Sequence, residues 1–256
     1  YHNCRNETTR CRIRRLILTS CFFRALSFPA VNSNEQKRLE TDIWVVALTT
    51  LAGFILYMVL GDRLVGFIDN DEVPILLRTL AIGLVQFSIA GLGSSIVCII
   101  RKDTFSRMGL KKKGALKAIA GTVAFFVPYL IYLLVSGQLN GYMPLSILIT
   151  DDILASSIFN RVVGMLIVAI FWGFFEGFNY YIVSRIINER YPNKINIGAI
   201  LCAVICILIH PFSTSFWGII EMIVTFIFIY GMVSCANKTQ NAWGCIFAFL
   251  FIWNAI

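Results

Sequence analysis

Four polar side chains stand out because each lies in an apolar run: Glu176, His210, Glu221 and Asn254. Moving an ionisable group out of water is expensive, so such a residue faces protein or trapped water and marks a working site by default. Their chemistries are complementary. A carboxylate and an imidazole in a low-dielectric cavity can polarise water, and a primary amide can donate to a developing oxyanion. Glu176, His210 and Glu221, with Asn254 beside them, also offer a mixed N/O donor set of the kind that Zn²⁺ accepts. Gly173 and Gly177 bracket Glu176 in a G-x-x-x-G, with Asn179 and Tyr180 on the same broad face. Small residues at that spacing let a second helix approach closely. Plainer roles stay open for each: interhelical glue for Glu176, an interfacial position for His210 before Pro211, a neutral carboxyl for Glu221, a solvated end for Asn254.

The elements that must position them follow from composition. The chain has 256 residues, 58% of them hydrophobic and only 14% charged, including 21 Phe. Its mean hydropathy is +0.77. A soluble domain of this length would need more polar residues to cover its surface, whereas spans of about 20 apolar residues in lipid need none. The fold class is therefore all-α, a polytopic transmembrane helical bundle of about seven spans. Apolar stretches run near Ile43–Leu60, Pro74–Ile100, Ala115–Ser136, Ile153–Ser184, Ile195–His210, Phe216–Ser234 and Ala242–Ile256. No alternating barrel pattern interrupts them, and a backbone in hydrocarbon must satisfy its own hydrogen bonds, so helices are expected. At about 1.5 Å rise per residue, Glu176, His210, Glu221 and Asn254 fall in one mid-bilayer layer and are expected to meet in one polar cavity.

The connecting segments alternate in charge. Eight bases precede the first span, the second loop holds Arg101, Lys102, Arg107, Lys111, Lys112 and Lys113, and the fourth holds Arg185, Arg190 and Lys194. The first loop has Arg63 against four acids, the third only Asp151 and Asp152. Bases on every second loop imply seven spans with a cytoplasmic N-terminus. The net charge of +8 is this loop bias, so nucleic acid is not an expected partner. Arg78 and Arg161, near outer span ends, are expected to snorkel, and Asp151–Asp152 to form a solvated loop and helix cap. Residues 1–42 read as a basic cytoplasmic or membrane-surface segment lying on anionic lipid, and 43–256 as one helical domain. The eight cysteines form no C-x-x-C pair, and those in apolar runs read as small hydrophobes.

Over residues 43–256 the pattern resembles the CPBP family of CAAX-type and bacteriocin-processing intramembrane metalloproteases, also called Abi. The family's E-E-x-x-x-R stretch is met by Glu176-Gly177-Phe178-Asn179-Tyr180-Tyr181, which keeps the first Glu. Its F-x-x-x-H is met by Cys206-Ile207-Leu208-Ile209-His210, and its H-x-x-x-N by Leu250-Phe251-Ile252-Trp253-Asn254. Arg107-Met108-Gly109-Leu110 is similar to the family's short cytoplasmic G-L loop. The resemblance implies an integral protein of a prokaryotic cell membrane that hydrolyses a peptide or protein substrate. Glu176 would be the general base, His210 its partner or a metal ligand, and Asn254 an oxyanion donor, with or without a divalent metal such as Zn²⁺. Four motif positions depart: Gly177, Tyr181, Cys206 and Leu250. Losing one oxyanion donor typically costs about 3–4 kcal/mol, or 100- to 1,000-fold in rate. Glu221 is a candidate to replace the missing carboxylate. The competing expectations are a non-catalytic family member acting as a scaffold or bacteriocin-immunity protein, and a small transporter or proton relay.

Overall fold

The computed structural model describes residues 33–139, 141–210 and 212–255, and among them it is helical with no strand. Residues 1–32, most of the expected membrane-surface segment, lie outside the described residues. The elements are α1 (Ser33–Ile68), α2 (Ile75–Ala90), α3 (Leu92–Ile100), α4 (Ala115–Ser136), α5 (Thr150–Ala155) and α6 (Ile158–Val168). A π-helical segment, Ala169–Phe175, joins α6 to α7 (Glu176–Arg190). Then come α8 (Ile197–Ile209), α9 (Phe216–Thr239), α10 (Trp243–Ala248) and a second π segment, Phe249–Trp253. The boundary expected at residue 42 falls inside α1.

Among the described residues four helices are long and apolar enough to cross a membrane: α1, α4, the run from α6 through α7, and α9. Helices α2 and α3, bent by 62° at their break, make a fifth if the pair is one crossing. The remaining two apolar stretches fold into short helices. Helix α8 has 13 residues, about 20 Å of rise against a hydrocarbon core of about 30 Å, and Trp243–Trp253 is shorter still. So the expected seven full-length spans resolve into four or five long ones and two helices that stop short. The exterior is apolar, with Met58, Leu116 and Leu208 about 80% exposed. A surface of that kind is compatible with lipid and costly in water.

Helix starts follow local chemistry. Ser157, Asn196 and Ser215 accept hydrogen bonds from the backbone N–H groups of Asn160, Ala199 and Gly218, satisfying donors that the first turn leaves unpaired. The main core gathers around α9, where Phe228, Ile229, Met232 and Val233 are fully buried with Ile182 of α7 and Ile246 of α10. A second cluster (Ile68, Ile75, Ile149, Ile153, Val168 and Trp172) seals the loop between α4 and α6.

At one end of the bundle the basic loops are tied down. Arg101 donates to Asp42 through Nε at 2.8 Å and Nη2 at 2.5 Å, Arg185 to Asp103 at 2.7 Å, and Arg190 to Glu40. Asn241 donates to the carbonyls of Lys111 and Lys113 at 2.7 and 3.2 Å. Gly109 has φ +76° and its carbonyl accepts from Ala242 N at 3.0 Å. A Cβ at Gly109 would lie 2.7 Å from both Ala242 N and the Tyr181 ring, so the loop needs glycine there. Arg78 is not a snorkelling residue. It is 6% exposed and donates to Ile68 O at 2.7 Å and Asp152 Oδ2 at 3.0 Å. Asp152, with Asp71 at 3.4 Å, is therefore its counter-ion, and the N-cap of α5 is Ile149, without a side-chain cap. A guanidinium with a carboxylate in reach gains more by pairing than by reaching for bulk water.

Candidate functional site

The two short helices create the site. Helix α8 ends at Ile209 and the second π segment at Trp253, so His210 and Asn254 each follow directly on a helix end. Helix ends inside a bilayer leave carbonyls without helical partners, and each must be satisfied. His210 Nδ1 lies 2.9 Å from Cys206 O. A carbonyl can only accept, so Nδ1 donates to it. Tyr142 donates to Phe251 O at 2.9 Å, and Ser146 N to Asn254 O at 2.6 Å. The 142–146 loop thus holds the end of the chain's last helix in place.

Glu176 opens α7 immediately after the first π segment, and Asn254 follows the second. Such segments rotate the downstream helix relative to the upstream one and recur at functional sites. Around them the packing is glycine-dependent. A Cβ on Gly177 would lie 2.6 Å from Ile246 Cα and 2.7 Å from Cys245 O, so α10 runs against α7 at that residue. A Cβ on Gly173 would lie 2.7 Å from Leu250 Cγ. A side chain at Gly177 has no room, and Leu250 fills the notch over Gly173.

Glu176, His210 and Asn254 line one cavity of about 850 Å³. Helix α1 packs on α2, α3 and α7, while α8 packs on α7 and α9, so the cavity is a groove between α1 and α8 floored by α7. Its lining is largely apolar, with Leu51 and Ile209 in the walls about half exposed. Glu176 accepts from Gln86 Nε2 at 2.7 Å and has no ion-pair partner among the described residues. Asn179, one turn on, accepts from the Ser94 hydroxyl. Asn254 Nδ2 is buried and has no hydrogen-bond partner. An unmade donor in low dielectric is costly, which marks this amide as available to an acceptor.

Glu221 is elsewhere. It lines a second cavity of about 200 Å³ together with Tyr129, Phe212 and Thr225, and accepts from Tyr132 Oη at 3.3 Å. His210, Trp253 and Asn254 line both cavities and form the wall between them. The His210 ring stands edge-on to Trp253, with centroids 5.2 Å apart and an interplanar angle of 85°. Among the described residues no three His, Cys, Asp or Glu side chains stand together as a metal site. The donors present, with Glu176 and Glu221 in separate cavities, do not fit a three-ligand zinc centre.

Sequence reasoning passes over Gln86, Trp253 and Tyr129. Gln86 had a signal, being the one amide in the apolar run Ile75–Ala90. The two aromatics had none, since only tertiary packing separates a lining ring from a core ring. No family model matches the chain, and neither a curated protein nor a solved structure matches it.

Proposed function

We propose that this chain is an intramembrane peptidase of the CPBP kind, an endopeptidase-like protein that crosses a prokaryotic cell membrane seven times with its N-terminus and basic loops in the cytoplasm. The single observation that carries the reading is that Glu176, His210 and Asn254 line one apolar groove. The groove suits an apolar peptide segment entering from lipid. Glu176, oriented by Gln86, takes a proton from a water whose oxygen bonds to the scissile carbonyl carbon. The unpartnered Asn254 amide donates to the carbonyl oxygen as it gains charge. His210, its Nδ1 held by Cys206 O, turns Nε2 to the same water. The C–N bond then breaks, and the carboxyl of Glu176 returns its proton to the leaving amine.

A second reading, a non-catalytic member serving as a scaffold or immunity protein, draws support from Gly177 and Leu250. The first has no space for a carboxylate, and the second does not line the groove. Cleavage of an apolar peptide by protein purified in detergent separates the two. Wild-type activity that falls in Glu176→Gln and His210→Ala supports the peptidase. Equal residual activity in all three proteins overturns it.

A further inference from the structure

The smaller cavity contains chemistry that peptide hydrolysis does not use. Glu221 carries a carboxylate in the second turn of α9, about 8 Å from the helix start at Phe216. Among the described residues it has no ion-pair partner, and its hydrogen bond is the long one from Tyr132. Glu221 is half-buried and lines the cavity with no basic side chain paired to it among the described residues. The groups around Glu221 are aromatic. Tyr129 and Trp253 line the cavity with centroids 6.4 Å apart, and Phe212 lines it as well. The π faces of such rings attract a cation and also pack well against methylene groups. Thr225 adds a hydroxyl.

We infer that this cavity binds a primary alkylammonium, with Glu221 as its counter-ion and Tyr129 and Trp253 against its stem, and that it receives a lysine side chain next to the scissile bond. Several features agree on this ligand. The volume of about 200 Å³ is small, which suits one flexible side chain rather than a chain segment. The carboxylate attracts a cation, and the rings favour one with an apolar stem over a hydrated inorganic ion. His210, Trp253 and Asn254 line both the groove and this cavity, so the two are neighbours, and a lysine that passes beside these three side chains would leave its backbone on the groove side, where Glu176 lies. The identity of the cation as lysine rests on the peptidase reading; the ammonium site does not.

The test separates the two. Protein in maltoside micelles is titrated calorimetrically with n-butylammonium, with neutral n-butanol, and with ethanolamine. Saturable binding of n-butylammonium, at least about tenfold tighter than n-butanol and weakened at least about tenfold in Glu221→Gln, is expected. No saturable binding, equal binding of the alcohol, or unchanged affinity in Glu221→Gln overturns the site. Tighter binding of ethanolamine than of n-butylammonium overturns lysine and points to a lipid headgroup. Should Glu221→Gln fail to fold, the amine-to-alcohol ratio in the wild type decides. Apolar peptides carrying one Lys, or norleucine in its place, then test cleavage. Preference for Lys supports the inference, and equal cleavage of both overturns the lysine. Ammonium binding without cleavage of either leaves the site standing and sinks the peptidase reading alone.

Discussion

The basic loops and the lining of the two cavities differ in how their charges are met. At the basic end, buried charges are paired and loops are stitched to helices: Asp42 to Arg101, Asp103 to Arg185, and Asn241 to the carbonyls of 111 and 113. Asn196 joins in, accepting from Asn188 at 2.7 Å and donating to Ser234 at 3.4 Å. Around the two cavities two helices stop short, Glu176 and Glu221 have no counter-ion among the described residues, and Asn254 Nδ2 has no acceptor among them. A fold at its stability optimum would fill such gaps. Leaving them open beside a groove is the arrangement expected of a site that awaits a ligand. The contrast implies that substitutions in the two regions separate stability from activity.

The largest effect is expected at Glu176. Glu176→Gln keeps the acceptor for Gln86 and removes the base, so peptide cleavage falls by about 10²–10⁴-fold while the melting temperature stays level or rises. A fall in stability that matches the fall in activity would erase the contrast. Among the basic loops, Asp103→Ala leaves Arg185 without its partner in a site where Asp103 is 3% exposed. The expected loss is about 3–5 kcal/mol in denaturant unfolding, and activity per folded molecule is unchanged. Gly177→Ala tests the seam between them. Its Cβ would meet the backbone of Ile246, costing about 1–3 kcal/mol and displacing α10 with Asn254 behind it, so stability and activity drop together. The smallest effect belongs to Tyr142→Phe, which frees Phe251 O at an exposed position. It should cost about 0.5–1.5 kcal/mol and be read more clearly as faster amide exchange in 249–254 than as a shift in melting.

Much of this was legible in the chain. The alternation of basic and acidic loops grouped 101–113, 185–194 and 238 at one end because charge placement is a property of single residues. Glu176 and His210 could be singled out because an ionisable group in an apolar run is conspicuous wherever it points. Glu221 was equally conspicuous, yet it faces a different cavity. Depth along a helix is countable at a fixed rise per residue, while the direction of a side chain around the axis depends on helix rotation, and two π segments change that rotation next to the site. Arg78 went astray for a related reason. Its fate depended on Asp152, 74 positions away, and pairing across such a distance is settled only by folding.

The sequence by itself determined that the chain is helical and apolar outside, which end carries the bases, and which rare polar groups must be sheltered. These follow from local properties: hydropathy, charge and the obligation of a backbone in lipid to bond to itself. The tertiary structure alone decided that α8 and α10 stop short, that α10 presses on Gly177, and that one wall of His210, Trp253 and Asn254 divides an apolar groove from a small acidic chamber. Those are outcomes of packing, where the position of each helix is fixed by the shapes of its neighbours rather than by its own residues.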